Sequence, residues 1–238
     1  MINENSILFY EYLTYMGNKL KSYIPEVTKN TNHVAVILET RKDEHLESIM
    51  KNVLYYLNET NSNIKWGLQI FHGTDNEEFV KSITKNWGEV KFNNIGTNSI
   101  TKLEYSELMK TSSFWKSVYG EKILIFQSDS ILLRSGIDEF LKWDYIGAPW
   151  SKPKENKWVG NGGLSLRTKS KMIEICETHY DESWEDIFFV KYLKANELSD
   201  IESAKRFSVE DVYSPNPMGI HNPIKIDNTL LLSLLDRS

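Results

Sequence analysis

The chain has 238 residues and one cysteine, Cys176, so no disulfide can form within it. That usage suits a reducing compartment. Cys176 falls in a helical pattern and reads as a small buried apolar residue. Long apolar runs are missing, and no segment is long and apolar enough to span a bilayer. The first residues, MINENSILFYEYLTYMGNKL, lack a basic region, and Glu11 interrupts their apolar part. They do not read as a signal peptide. The expected location is cytoplasmic, or peripheral to a membrane if something else brings the protein there. Excess positive charge is also absent. With 28 Lys and Arg against 33 Asp and Glu, the formal net charge is -5, so no nucleic-acid footprint is present.

What remains is globular in character. Hydrophobic residues make up 40% and charged residues 26%, enough for a sizeable core. Seven Trp and twelve Tyr are many for this length. Most should be core, though surplus aromatics often line carbohydrate or base sites. Neither an internal repeat nor a dividing linker is visible. Residues 1–32 read as a helical extension, and residues 33–238 as a single α/β domain.

Apolar residues at helical spacing over 4–24 predict an N-terminal helix. Val34 to Leu38 is an unbroken apolar run followed by a helical pattern from about Asp43 to Leu57, which opens a doubly wound fold. The turn between them is not glycine-rich and cannot cradle a pyrophosphate on bare backbone. It offers side chains, Thr40 and Arg41, where a base, ribose or phosphate could be met. Arg41 is alternatively a solvated charge at a helix start. Trp66 to Gly73 and Val90 to Ile95 read as further strands, with a short helix over Asn76 to Ile83 and one or two helices over Ile100 to Val118. His72, at a strand end, is expected to be structural.

The pivotal stretch is Lys122 to Leu133, KILIFQSDSILL. Its apolar run predicts a strand buried on both faces and central in a mostly parallel sheet. Asp129 stands where that strand stops, the edge at which open α/β sheets bind ligands. It is either a metal or phosphate-metal ligand or, with Ser130, the cap of a following short helix. After it, Asp144 to Trp150 (DYIGAPW) is turn-rich and Ser151 to Trp158 a polar loop. In Val159 to Arg167 (VGNGGLSLR), glycines around Asn161 permit close backbone approach to a ligand, or form only a tight turn. Ser170 to Thr178 reads as a helix, and Trp184-Glu185-Asp186 opens another. That acid pair can favour the helix dipole or take a proton from a hydroxyl. Phe207 to Glu210 is strand-like, His221 sits in a Pro/Gly loop where imidazole could ligate a metal, and Leu230 to Leu235 is a final helix.

In this order the stretches FQSDS, DYIGAPW, VGNGGLSLR, WEDIFF, FSVE and GIH resemble those of a family of glycosyltransferase-like domains of the GT-A type, over roughly residues 33 to 223. The resemblance implies a Rossmann-like, mostly parallel central sheet flanked by helices, with a smaller acceptor-side subregion. It also implies a metal-dependent transfer of sugar from a nucleotide-diphosphate sugar, a UDP- or GDP-sugar, to an acceptor hydroxyl on a glycan, protein or lipid-linked molecule, with inversion. GT-A enzymes commonly hold Mn²⁺ or Mg²⁺ on an Asp-x-Asp triplet. Here the triplet is Gln127-Ser128-Asp129, so one carboxylate is lost, and His221 matches a late second ligand. Asp186 would be the base and Glu185 would orient the acceptor, as in the acid pair of β-1,4-galactosyltransferases. Thr40, Arg41, Gln127 and Ser128 would meet the donor. Asn161, Gly162 and Gly163 would line the donor sugar or acceptor, and Trp150 or Trp184 would stack on a ring or serve the core. Two other readings stay open: a carbohydrate- or nucleotide-binding module without catalysis, and a nucleotidyltransferase or phosphosugar hydrolase.

Overall fold

The computed structural model describes residues 4–59 and 64–236. The apolar N-terminal spacing forms α1 (Glu4–Lys19), whose Phe9, Leu13 and Met16 are buried. The doubly wound half follows as β1 (His33–Glu39), α2 (Leu46–Asn58), β2 (Trp66–His72), α3 (Glu77–Ile83), β3 (Lys91–Asn94), α4 (Lys102–Met109) and α5 (Ser112–Ser117). Then come β4 (Lys122–Phe126) and β5 (Ser130–Leu132). The remainder is β6 (Tyr145–Gly147), β7 (Pro149–Lys154), β8 (Lys157–Val159), β9 (Leu164–Thr168), α6 (Lys169–Thr178), α7 (Glu185–Tyr192), α8 (Ile201–Phe207), β10 (Ser208–Val209), β11 (Gly219–His221) and α9 (Asn228–Leu235).

Six strands form the main sheet in the order β3-β2-β1-β4-β9-β6. The first four run parallel, and β9 is antiparallel to both β4 and β6. The strand that ends before Asp129 is therefore central, as its apolar run predicts. Alternation along β1 shows why both faces must be covered. Ala35 and Ile37 join the core beneath α1 and α2, while Val34 and Val36 join the opposite core with Trp115 and Phe189. A smaller sheet, β10-β11-β5, stands at the end of β4 and holds His221 opposite Ser130. Its edge is completed from α2. Asn52 donates to the Leu132 carbonyl at 3.0 Å and accepts from the Leu132 N–H at 2.8 Å.

Several local expectations change. No helix follows Asp129, because Ser130 starts β5; the capping alternative falls. Ser151 to Trp158 is not a loop but mostly hairpin. Glu155 and Asn156, at φ 49° and 58°, make a two-residue turn that lets β7 and β8 pair. Asp144 to Trp150 contributes β6 and the start of β7. Only Ser208 and Val209 are strand in the Phe207 to Glu210 run, since Phe207 closes α8. Cys176 is only partly buried, against the second core. His72 is buried and structural, with Nδ1 2.8 Å from the Gly73 carbonyl.

Candidate active site

A cavity of about 810 Å³ opens at the carboxyl ends of β1 and β4. That is within the usual size of a small-molecule site. Of the residues expected at a site from the sequence, all but Trp150 line it, including Thr40, Arg41, Gln127, Ser128, Asp129, Asn161, Gly162, Gly163, Glu185, Asp186 and His221. These come from five separate stretches of chain, so only the fold could gather them.

Asp129 leaves the end of β4 with its side chain 45% exposed to the cavity. Its Oδ1 lies 3.4 Å from His221 Nε2, and the Gln127 Oε1 lies 3.2 Å from the same nitrogen. On the far side of the ring, Nδ1 is 3.3 Å from Oε2 of the buried Glu210. Lys225 holds the other Glu210 oxygen at 2.6 Å. Burial alone would lower the imidazole pKa, but the carboxylates of Asp129 and Glu210 outweigh it and push it up to about 9. Burial likewise favours protonating Asp129, yet the hydrogen bond and charge of His221 hold its carboxyl below the usual range.

Arg41 is mostly exposed but not loose. Its Nε and Nη2 grip both oxygens of Glu39 at 2.9 and 2.7 Å, and Nη2 also reaches the Ser128 hydroxyl at 3.0 Å. This fork holds the guanidinium at the cavity beside Ser128. Thr40 is buried next to it.

The acid pair divides into two roles. Glu185, expected to orient an acceptor, has both oxygens bound by Arg167, at 2.9 Å to Nη1 and 3.2 Å to Nη2. Arg167 is fully buried, bonds also to the Ser165 hydroxyl and the Gly162 carbonyl, and lies 4.7 Å from the Tyr145 ring centre. Among the described residues Asp186 has no such partner. Burial, then the neighbouring Glu185 charge, raises its carboxyl to about 6.

The glycines serve these side chains. A Cβ on Gly162 would fall 2.1 Å from Glu185 Oε1, and one on Gly163 would fall 2.0 Å from His221 Nε2. The close approach that the glycines permit is therefore to the protein's own carboxylate and imidazole. Of the two tryptophans considered for stacking, Trp150 is buried, whereas Trp184 is 51% exposed and lines the cavity.

Glu210 and Arg167 fall within the FSVE and VGNGGLSLR stretches, which assign them no role. The rule that selected Asp129, a carboxylate closing an apolar run, also fits Phe207-Ser208-Val209-Glu210. An arginine inside the apolar run Leu164 to Arg167 needed a buried acid, which Glu185 provides. Tyr105, which lines the same cavity, carried no signal within its helix.

The fold is an α/β fold of the kind seen in solved glycosyltransferases. The chain superposes on mouse xyloside xylosyltransferase 1 with a TM-score of 0.50 and 8% identity, covering 81% of this chain and 97% of that one. It superposes on residues 1–349 of Staphylococcus aureus TarS with a TM-score of 0.50 and 14% identity, covering 87% and 71%. Similarity to the glycosyltransferase GlyE of Streptococcus pneumoniae is weaker, with a TM-score of 0.47 and 13% identity. This chain covers 84% of itself there but spans only 55% of GlyE. No curated protein matches the sequence. Residues 89–221 match the family described as Protein of unknown function (DUF5672), and the chain belongs to that family.

Proposed function

We propose that this protein is a glycosyltransferase that moves a sugar from a nucleotide-diphosphate sugar to an acceptor hydroxyl, with a divalent metal and inversion at the sugar carbon. The observation that carries this reading is the meeting of Asp129, His221 and Asp186 on one cavity of suitable volume. Asp129 Oδ1 and His221 Nε2 are 3.4 Å apart. Two neighbouring ligands about 2.1 Å from one ion would stand about 3 Å apart, so this pair fits a shared cation that takes the place of the proton on His221 Nε2. Among the described residues no group of three or more His, Cys, Asp or Glu could hold a metal. The other ligands would fall to donor phosphates and water, and metal affinity without donor should be weak. When bound, Mn²⁺ or Mg²⁺ would neutralise the leaving diphosphate as a Lewis acid.

The chain's own residues supply the rest. Arg41, fixed by Glu39, meets the nucleotide or its phosphates. Asp186 takes the acceptor proton as the acceptor oxygen bonds to the sugar carbon and the bond from that carbon to the diphosphate breaks. A carboxyl with a pKa of about 6 is ionised at neutral pH yet more basic than an ordinary aspartate. Glu185 acts through position: bound to Arg167, it fixes the start of α7 and so the placement of Asp186.

The test is thermal unfolding with nucleoside diphosphates and nucleotide sugars, each with Mn²⁺ and with chelator. At about a hundred times its Kd a ligand adds roughly 2.7 kcal/mol, a readable shift. One base should give a Mn²⁺-dependent shift that Asp129→Ala abolishes. A sugar-binding module without catalysis is the second reading, favoured by Gln127 in place of an acid. It would bind sugar without metal and survive Asp129→Ala. Gly163→Ala gives a further check, because its Cβ would displace His221. The Mn²⁺-dependent part of the nucleotide shift should vanish while the metal-free protein still unfolds cooperatively. An unchanged Mn²⁺ response would remove His221 from the ligand set.

A further inference from the structure

Beside Asp186 the cavity carries two features that neither the donor nor the metal explains. The first is Trp184. Of the seven tryptophans, Trp66, Trp87, Trp115 and Trp150 are buried, while Trp158 and Trp184 are about half exposed, at 49% and 51%. Trp184 is the one of these two that lines the cavity. Its backbone is held on both sides. Lys110 Nζ binds the Ser183 carbonyl at 2.9 Å, the Glu185 N–H donates to the Ser106 hydroxyl at 2.9 Å, and the Trp184 carbonyl accepts from Phe188 at 2.8 Å. An apolar ring is thus presented to solvent from a fixed backbone, two residues before the base. Its open face, beside the polar cavity groups, is suited to stacking with a sugar ring.

The second is Lys154, at the end of β7, which lines the same cavity. The two-residue turn at Glu155 and Asn156 holds it in register with Lys157. Its ammonium lies 4.7 Å from the Trp150 ring centre. Asp186 feels its charge, but among the described residues no carboxylate comes within ion-pair distance of it. A partly buried ammonium facing a cavity without a paired anion is suited to an anionic ligand.

We infer that Trp184 and Lys154 form the acceptor subsite, and that the acceptor is an anionic sugar: a pyranose or furanose ring covers Trp184 while its carboxylate or phosphate meets Lys154. Its hydroxyl then lies toward Asp186. This rests on the proposed transfer only for the fate of that hydroxyl; binding itself does not need it.

The experiment is a tryptophan-fluorescence titration of the full chain with glucose, glucuronate and glucose 6-phosphate. Glucuronate or glucose 6-phosphate, or both, should quench with an apparent Kd at least about tenfold below that of glucose. The preferred one of the two identifies carboxylate or phosphate as the anion. Lys154→Gln should abolish the preference over glucose, and Trp184→Phe should remove most of the quench. Equal binding of glucose, a preference unchanged in Lys154→Gln, or no binding by any of the three overturns the inference. The nucleotide thermal shift of the unmodified protein separates the two readings. A shift without anionic-sugar binding ends the subsite and leaves the transferase. Anionic-sugar binding without a shift keeps the subsite and ends the transferase.

Discussion

Replacing Asp186 with asparagine is expected to lower kcat by about 10²–10⁴-fold, the usual contribution of a general base. Donor binding should be unaffected, because Asp186 faces the acceptor in the proposed reaction. The same substitution should make the protein more stable at pH 8. The carboxyl is raised to about 6, by burial and then by the Glu185 charge. A carboxyl raised in the folded state contributes stability that is full below its unfolded pKa, near 4, and is lost as pH rises through about 6. Above that window the ionised group is a cost, on the order of 1–2 kcal/mol after allowance for its partial exposure. Asparagine lacks this cost but keeps an oxygen for the Ile187 N–H, which donates to Asp186 at 2.8 Å. Melting temperatures of the two proteins should therefore agree near pH 4 and diverge by pH 8, with the variant higher. In the unmodified protein, kcat/KM for the proposed reaction should rise through about pH 6 and then level off. A variant that keeps full activity would remove Asp186 as the base; one that melts lower at pH 8 would contradict the charge cost.

The largest loss of stability should come from the ion pair beside that carboxyl group. Arg167→Met leaves Glu185 ionised and buried without a partner, and is expected to cost about 3–5 kcal/mol. Against a typical total of about 5–15 kcal/mol, this is a severe loss. Glu185→Gln should also be strongly destabilising, because the Arg167 guanidinium, wholly shielded from solvent, loses its only counter-charge among its described partners. Replacing both, Arg167→Met with Glu185→Leu, should cost much less than the sum, since neither charge is then stranded. Urea unfolding of the three variants measures this. Near-additive losses would mean that the pair contributes no coupling.

Much of this site was legible one residue at a time. Asp129 stood out because an apolar run can end in a carboxylate only where the chain leaves the sheet interior. Asp186 was singled out only by the resemblance of its acid pair to that of β-1,4-galactosyltransferases. Their separate roles were not legible. Nothing in Trp184-Glu185-Asp186 says which carboxylate Arg167 will take, because that arginine approaches from β9, across the sheet. The glycines show the same limit. Their spacing announces a close approach, but whether a ligand or a side chain makes it depends on where α7 and β11 pack. The hairpin over Pro149 to Val159 was hidden because its polar residues lack strand alternation, and its turn uses Glu155 and Asn156 rather than glycine.

By itself, the sequence determined the strand and helix alternation up to Phe126, the central place of the Lys122 to Phe126 strand, and the candidate groups at its end. Hydrophobic burial and backbone hydrogen bonding are properties of short segments, so runs and spacings reveal them. Only the tertiary structure decided that Glu185 is a buried counter-ion and Asp186 the free acid, that Glu210 stands behind His221, and that Trp184 rather than Trp150 is open to the cavity. These outcomes depend on charges and rings brought together from stretches far apart in the chain, where separations of a few ångströms set both ionisation and access.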